Sequence, residues 1–248
     1  GIAVGALLLS FSLPFGTMAV GAEPPAGEGG YDDLIELTQE FFGWRESGNE
    51  PLQRSAEHTA ERLDELEDFQ ARLQDMAVNR FDRSQQVEWL ALRGAMDQHE
   101  FLLRVSKPWQ RDPGYYVDRM QRLTFVDLPV RGKALTKLRE GLRSTVALVD
   151  AAKRNLDDVP TDFAALAIHN LTQPDGVGHG HPYRAVPPAG VIGWYGDLLQ
   201  RARSEQPELV AGIENARDAV KSLHAWLLEK QPEMDAQAGV GEELLDWY

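Results

Sequence analysis

Six histidines and no cysteine set the limits on what chemistry this chain can do. Two of the histidines lie close together, in His179-Gly180-His181, within the Gly- and Pro-rich stretch 173–190. Two imidazoles two residues apart can reach one metal ion. A zinc site needs three or four donors, however, and two ligands do not make a site. A solvent-exposed or packing loop is the plainer reading, and His179 and His181 stand as the chain's metal candidates. The remaining four, His58, His99, His169 and His224, fall on helical patterns. The residues three before them are Ser55, Met96, Leu166 and Lys221, so no Glu-x-x-His pair exists for a di-iron bundle. His99-Glu100 is followed by Phe101-Leu102-Leu103, which rules out a His-Glu-x-x-His zinc helix. There is no Gly-x-Ser-x-Gly elbow and no P-loop, and Gly176-Val177-Gly178-His179-Gly180 lacks the dinucleotide spacing. No catalytic and no cofactor-binding residue is assigned from these patterns.

Three further groupings invite a functional reading and have a plainer one. Glu61, Asp64, Glu65, Glu67 and Asp68 could attract cations, but carboxylates spread around a helix seldom converge on one ion. A solvated face is expected. Trp109 with Arg111 and Tyr115 could line a pocket, or could form an aromatic plug that locks a helix crossing. The plug is the expectation. Asn170-Leu171-Thr172 matches a glycosylation acceptor, a pattern short enough to recur by chance.

The composition is that of a folded protein: 43% hydrophobic and 26% charged over 248 residues. The formal net charge is −14. Such a surface repels phosphate backbones, so nucleic acid is not an expected partner. Without cysteine there are no disulfides, thiolate metal sites or thiol nucleophiles. The first 22 residues carry no charge, and 2–15 form an apolar run of signal-peptide length interrupted by Pro14. Val20-Gly21-Ala22 reads as a cleavage site and 23–30 as a flexible lead-in. The expectation is an exported protein, periplasmic or extracellular, with a signal peptide over 1–22 whose basic n-region is incomplete. No stable membrane span is expected after cleavage. An uncleaved N-terminal anchor is the alternative.

From Tyr31 onward the pattern is helical. One face gathers Leu34, Leu37, Phe41 and Trp44; the next gathers Leu63, Leu66, Phe69, Leu73 and Met76. Asp82 and Gln85 are spaced as a capping box. The helix after them carries Val87, Leu90, Gly94, Phe101 and Val105 on one face and Trp89, Leu92, Met96 and Leu103 on another. That predicts a central helix buried on two sides. Pro108, Pro113 and Gly114 interrupt. Leu135, Leu138, Leu142, Val146 and Val149 mark a long helix, and Thr161 is the expected N-cap of the next. Leu209, Ile213, Ala216, Val220, Leu223 and Leu227 mark another, with Pro207 in its first turn. A last helix begins near Glu242, with Leu244, Leu245 and Tyr248 on one face. No alternating strand and no repeat is evident. The fold class is therefore all-α: about seven or more mostly antiparallel amphipathic helices over 31–248, with one long loop at 173–190.

Four stretches, in order, carry a resemblance: "YDDLIELTQEFFGWRES", "KPWQRDPGYY", "NLDDVPTDFAALAI" and "AGVGEELLDWY". Together they resemble the N-terminal portion of a bacterial family, domain-of-unknown-function family 885, over nearly all of 31–248. That family is grouped with zincin-like metallopeptidases. The resemblance implies a catalytic half further along a longer chain, where a His-Glu-x-x-Pro-Gly-His type motif would bind zinc. Two histidines and a carboxylate would hold the metal there, and the motif glutamate would activate water. None of those positions occurs in the 248 residues, so no catalytic residue is carried over. The implied partner is the missing C-terminal catalytic part, with zinc as its cofactor and a peptide as substrate; Trp247 and Tyr248 would pack on that part. A complete extracytoplasmic helical scaffold without catalysis, or a membrane-anchored sensor domain, is the alternative.

Overall fold

The computed structural model describes residues 27–48, 55–173, 184, 186–242 and 244. The expected signal peptide, His179, His181, most of the loop at 173–190, Trp247 and Tyr248 lie outside the described residues. The described residues form an all-α array without a strand: α1 (Tyr31–Ser47), α2 (Ala56–Gln74), α3 (Arg83–Phe101), α4 (Pro108–Arg111), α5 (Gly114–Arg122), α6 (Gly132–Asn155), α7 (Thr161–Thr172), α8 (Gly190–Glu205) and α9 (Val210–Lys230). Glu242 and Leu244 are helical too.

The first three helices pack against one another. Trp89 Nε1 donates to the Leu73 carbonyl at 2.9 Å and Gln70 Nε2 to Glu100 at 2.8 Å, so α2 and α3 run antiparallel. Tyr31 donates to Glu88 and the Trp44 ring meets His99, so α1 runs parallel to α3. The capping box at α3 forms as expected: the Gln85 N–H donates to Asp82 at 3.0 Å, and the Asp82 N–H donates to Gln85 at 2.9 Å. The other face of α3 differs from expectation. Trp89, Leu92, Met96 and His99 are buried, but Val87 and Leu90 are 58% and 56% exposed, a Cβ at Gly94 would meet nothing within 4 Å, and Phe101 and Val105 are only half-buried. Among the described residues α3 is therefore buried on one side only.

The second group is built around α6 and α9, the most extensively paired helices, with α7 and α8 packed alongside. All six stripe residues of α9 are buried. On α6 the buried line is Leu138, Leu142, Thr145, Val149 and Ala152, while Val146 stays 38% exposed. Thr145 displaces Val146 because its hydroxyl is satisfied there. It bonds the Gly141 carbonyl and meets the Tyr195 hydroxyl at 3.0 Å each. Tyr195 in turn donates to the Met120 carbonyl at 2.9 Å, so one phenol joins α5, α6 and α8. Thr161 is not an N-cap. Pro160 holds that position and the Thr161 hydroxyl donates to the Met234 carbonyl at 2.5 Å. One contiguous core runs through both groups of helices.

Candidate functional site

The two groups of helices meet at an irregular segment. After Phe101 the helix widens into a π turn, Leu102–Ser106, and Lys107 then takes a left-handed conformation, φ 37° and ψ 54°. Pro108 gives the reason. Its ring disfavours the α conformation at the residue before it, so the helix must end at Lys107. A left-handed non-glycine residue is strained by roughly 1–2 kcal/mol. The same proline, fixed near helical φ and without an N–H, opens α4 at its first position. α5 opens at Gly114, with Pro113 at its N-cap and the Gly114 N–H donating to Asp112 at 2.8 Å. The residues that interrupt one helix thus start the next two.

Beside this segment lies a cleft of about 450 Å³. Its walls come from three regions far apart in sequence: the start of α2 (Ser55, Ala56, Thr59, Ala60, Leu63), the π turn and α4 (Leu103, Arg104, Lys107, Trp109, Gln110), and the end of α6 (Arg154, Asn155, Asp157). The floor is apolar, through Leu63, Leu103 and the buried Trp109. The rim is polar. Trp109 is held by a short network. Its carbonyl would normally bond the N–H four residues on, but that residue is Pro113 and has none. The Tyr116 hydroxyl donates to it instead at 2.7 Å, and Asn155 Nδ2 donates to Tyr116 Oη at 3.1 Å. Burial pushes the Tyr116 phenol up to about 12, although the Asn155 hydrogen bond pulls it down.

The other sequence candidates disperse. Arg111 is buried but does not line the cleft: it donates to the Gln237 carbonyl and sits 3.1 Å from Asp158. Tyr115 is half-buried, with the Arg119 guanidinium 3.8 Å from its ring centre. Of the three, Trp109 alone lines the cleft, while Tyr115 packs against the core with its ring edge-on to Tyr116. His99 is buried between the rings of Phe41 and Trp44, and His169 is exposed. His58 and His224 are half-buried, and burial holds the His224 imidazole below its usual value. The carboxylates Glu61, Asp64, Glu65, Glu67 and Asp68 are all exposed, as a solvated face. Asn170 of the acceptor pattern lies inside α7. Among the described residues, no three His, Cys, Asp or Glu side chains group to hold a metal ion.

Ser55 Oγ accepts from the His58 N–H at 3.1 Å, and the Thr59 hydroxyl donates to the Ser55 carbonyl at 2.8 Å, so both serve the first turn of α2. The cleft lining includes no histidine, cysteine or glutamate; Asp157 is its one carboxylate. Sequence periodicity missed Lys107, Arg154 and Asp157; Pro108, Pro113 and Gly114 were the local signals of a break there. No family model, curated protein or solved structure matches the chain.

Proposed function

We propose that this chain is the non-catalytic helical portion of an exported, peptidase-like hydrolase, and that its cleft beside α4 holds a peptide segment. The observation that carries this reading is the cleft itself. Its volume falls in the range of roughly 300–1,000 Å³ usual for ligand sites, with an apolar floor and a few polar groups at the rim. Residues with the strain of Lys107 cluster at binding sites, where surrounding structure holds them in place. The ordered resemblance to family 885 supplies the peptide as substrate class and assigns bond cleavage to a zinc centre outside these residues.

Binding of short fluorescent peptides to the full chain tests the reading, with Ala60→Trp as the control variant. Ala60 is exposed on the cleft wall, so a larger side chain there fills the cleft without entering the core. Saturable binding to the parent protein, lost in the folded variant, is the expected result. Binding that is absent, or indifferent to the substitution, overturns the proposal.

A further inference from the structure

We infer that the exposed face of α3 is a docking surface for a second copy of this chain, the two α3 helices packing antiparallel about a two-fold axis near Leu90. The inference is independent of the peptide-binding reading above. The face is a line along the helix. Arg83, Val87, Leu90, Gly94, Asp97 and Phe101 follow one another at intervals of four, three, four, three and four residues. That alternation keeps one edge of a helix turned towards a partner helix, as in the seam of a coiled coil. Val87 and Leu90 are 58% and 56% exposed. Arg83, Gly94 and Asp97 are exposed and Phe101 is half-buried. The other edge of α3 is already in use: Trp89 bonds to the end of α2 and His99 meets the Trp44 ring of α1. A Cβ at Gly94 would meet nothing within 4 Å, so a second helix can come close there. The next positions round the helix, Ser84, Ala91 and Gln98, are exposed and uncharged.

The two charges on this line say what covers it. Leu90 lies seven residues from Arg83 on one side and seven from Asp97 on the other. Two antiparallel copies crossing near Leu90 therefore bring Arg83 of each beside Asp97 of the other, at both ends of the contact. Val87, Leu90 and Gly94 fill the space between. A two-fold contact needs a surface complementary to itself. A cation and an anion set at equal distances from an apolar centre meet that need. Parallel packing would set arginine against arginine and aspartate against aspartate, and like charges at contact repel. The Asp97 carboxylate lies 3.7 Å from Arg93, longer than a hydrogen bond, so its oxygens can still accept. Each copy carries a net charge of −14. At physiological salt, exposed charges farther apart than about 8 Å are largely screened, so the pairs at the contact set the register. One helix face from each copy makes an interface at the small end of the specific range, below about 1,200 Å² in total, which suits a weak, reversible dimer.

Sedimentation equilibrium of the full chain, at about 0.15 M salt and from about 5 to 300 μM protein, reads the pairing. The average mass is expected to rise with concentration from one chain towards two and to stop there. Leu90→Lys places a charge at the axis, on a face that the single chain leaves exposed. It should stay folded by circular dichroism and weaken pairing by about tenfold or more. Arg83→Asp and Asp97→Arg each bring like charges together at both ends of the contact, and each should weaken pairing about tenfold. The double reversal restores opposite charges and should return to within about threefold of the parent. A single-chain mass at every concentration overturns the inference, whether the face stays bare or is covered by residues of the same chain. Pairing that a folded Leu90→Lys protein keeps overturns the assignment to α3. Single reversals without effect, or a double reversal that restores nothing, overturn the antiparallel arrangement. A mass that climbs past two chains overturns the closed two-fold contact.

Discussion

Replacing Tyr116 by Phe removes one oxygen from the support behind the cleft floor, and its cost is calculable. The side chain is fully buried. Its hydroxyl is the donor to the Trp109 carbonyl, whose helical partner position is Pro113. Phenylalanine fits the same space and leaves that buried acceptor unpaired, which costs about 1–3 kcal/mol. The Asn155 amide also loses its acceptor, but Asn155 is half-buried and water can replace much of that bond. The expected loss is roughly 2–3 kcal/mol at pH 8, or about 4–10 °C in Tm for a chain of this size. Alkali gives a second readout. Burial raises the phenol from 10.0 to about 12 in the folded protein. The native state therefore keeps a proton that the unfolded chain has begun to release, and stability falls as pH rises from about 10 to about 12. That rise corresponds to roughly 2–3 kcal/mol of stability, fully present below pH 10. The variant has no such proton to lose, so the gap between the two proteins should narrow above pH 10 and nearly close by pH 12. Urea melts at a series of pH values measure this directly. A penalty below about 0.5 kcal/mol at pH 8, or a gap that stays constant to pH 12, refutes the network as drawn.

Asp197 accepts from Arg184 at 2.9 Å and from Arg201 at 2.8 Å, while Arg201 also reaches the carbonyls of Val126 and Thr124. Burial pushes the Asp197 carboxyl up, but the hydrogen bonds from Arg184 and Arg201 and their charges outweigh it and hold it below 3.8. Asp197→Asn should cost about 1–3 kcal/mol at neutral pH. The contribution is fully present above pH 3.8 and is lost as pH falls through the lowered value, so the two proteins should converge in acid melts. Gly190 has φ +63°, and a Cβ there would lie 2.4 Å from the Leu171 carbonyl carbon. Gly190→Ala should cost about 2–4 kcal/mol by thermal unfolding, from left-handed strain plus the clash. On α3, Leu90→Lys should change stability by less than about 0.5 kcal/mol, whereas Leu92→Ala should cost about 2–5 kcal/mol. Equal penalties for the two would mean that the exposed face of α3 is covered after all.

The helices were legible in the sequence wherever burial and apolarity coincide. The stripe from Leu209 through α9 matches residue for residue, because its six positions are apolar and all lie in the buried core. The stripe on α6 slipped by one position at Val146, because counting apolar residues gives a threonine no credit for a hydroxyl it can satisfy on its own helix. Thr161 failed as a cap for the converse reason. Its hydroxyl found a carbonyl far along the chain, which no local rule anticipates. The second apolar face of α3 shows the limit in the other direction, since a stripe records what a helix can bury and not what is there to bury it. The cleft was beyond pattern reading altogether. It joins residues 55–63, 103–110 and 154–157, and its shape follows from a π turn and one left-handed lysine. Pro108, Pro113 and Gly114 announced the break, and they said that the helix stops without saying what the stop encloses. The local rule fails where the site is, because a uniform helix would carry Lys107 onward along α3 instead of turning the chain at the rim. Pro108 bars the α conformation at Lys107, so Pro108→Ala should let the helix run on past Lys107, a change that circular dichroism reads as added helix.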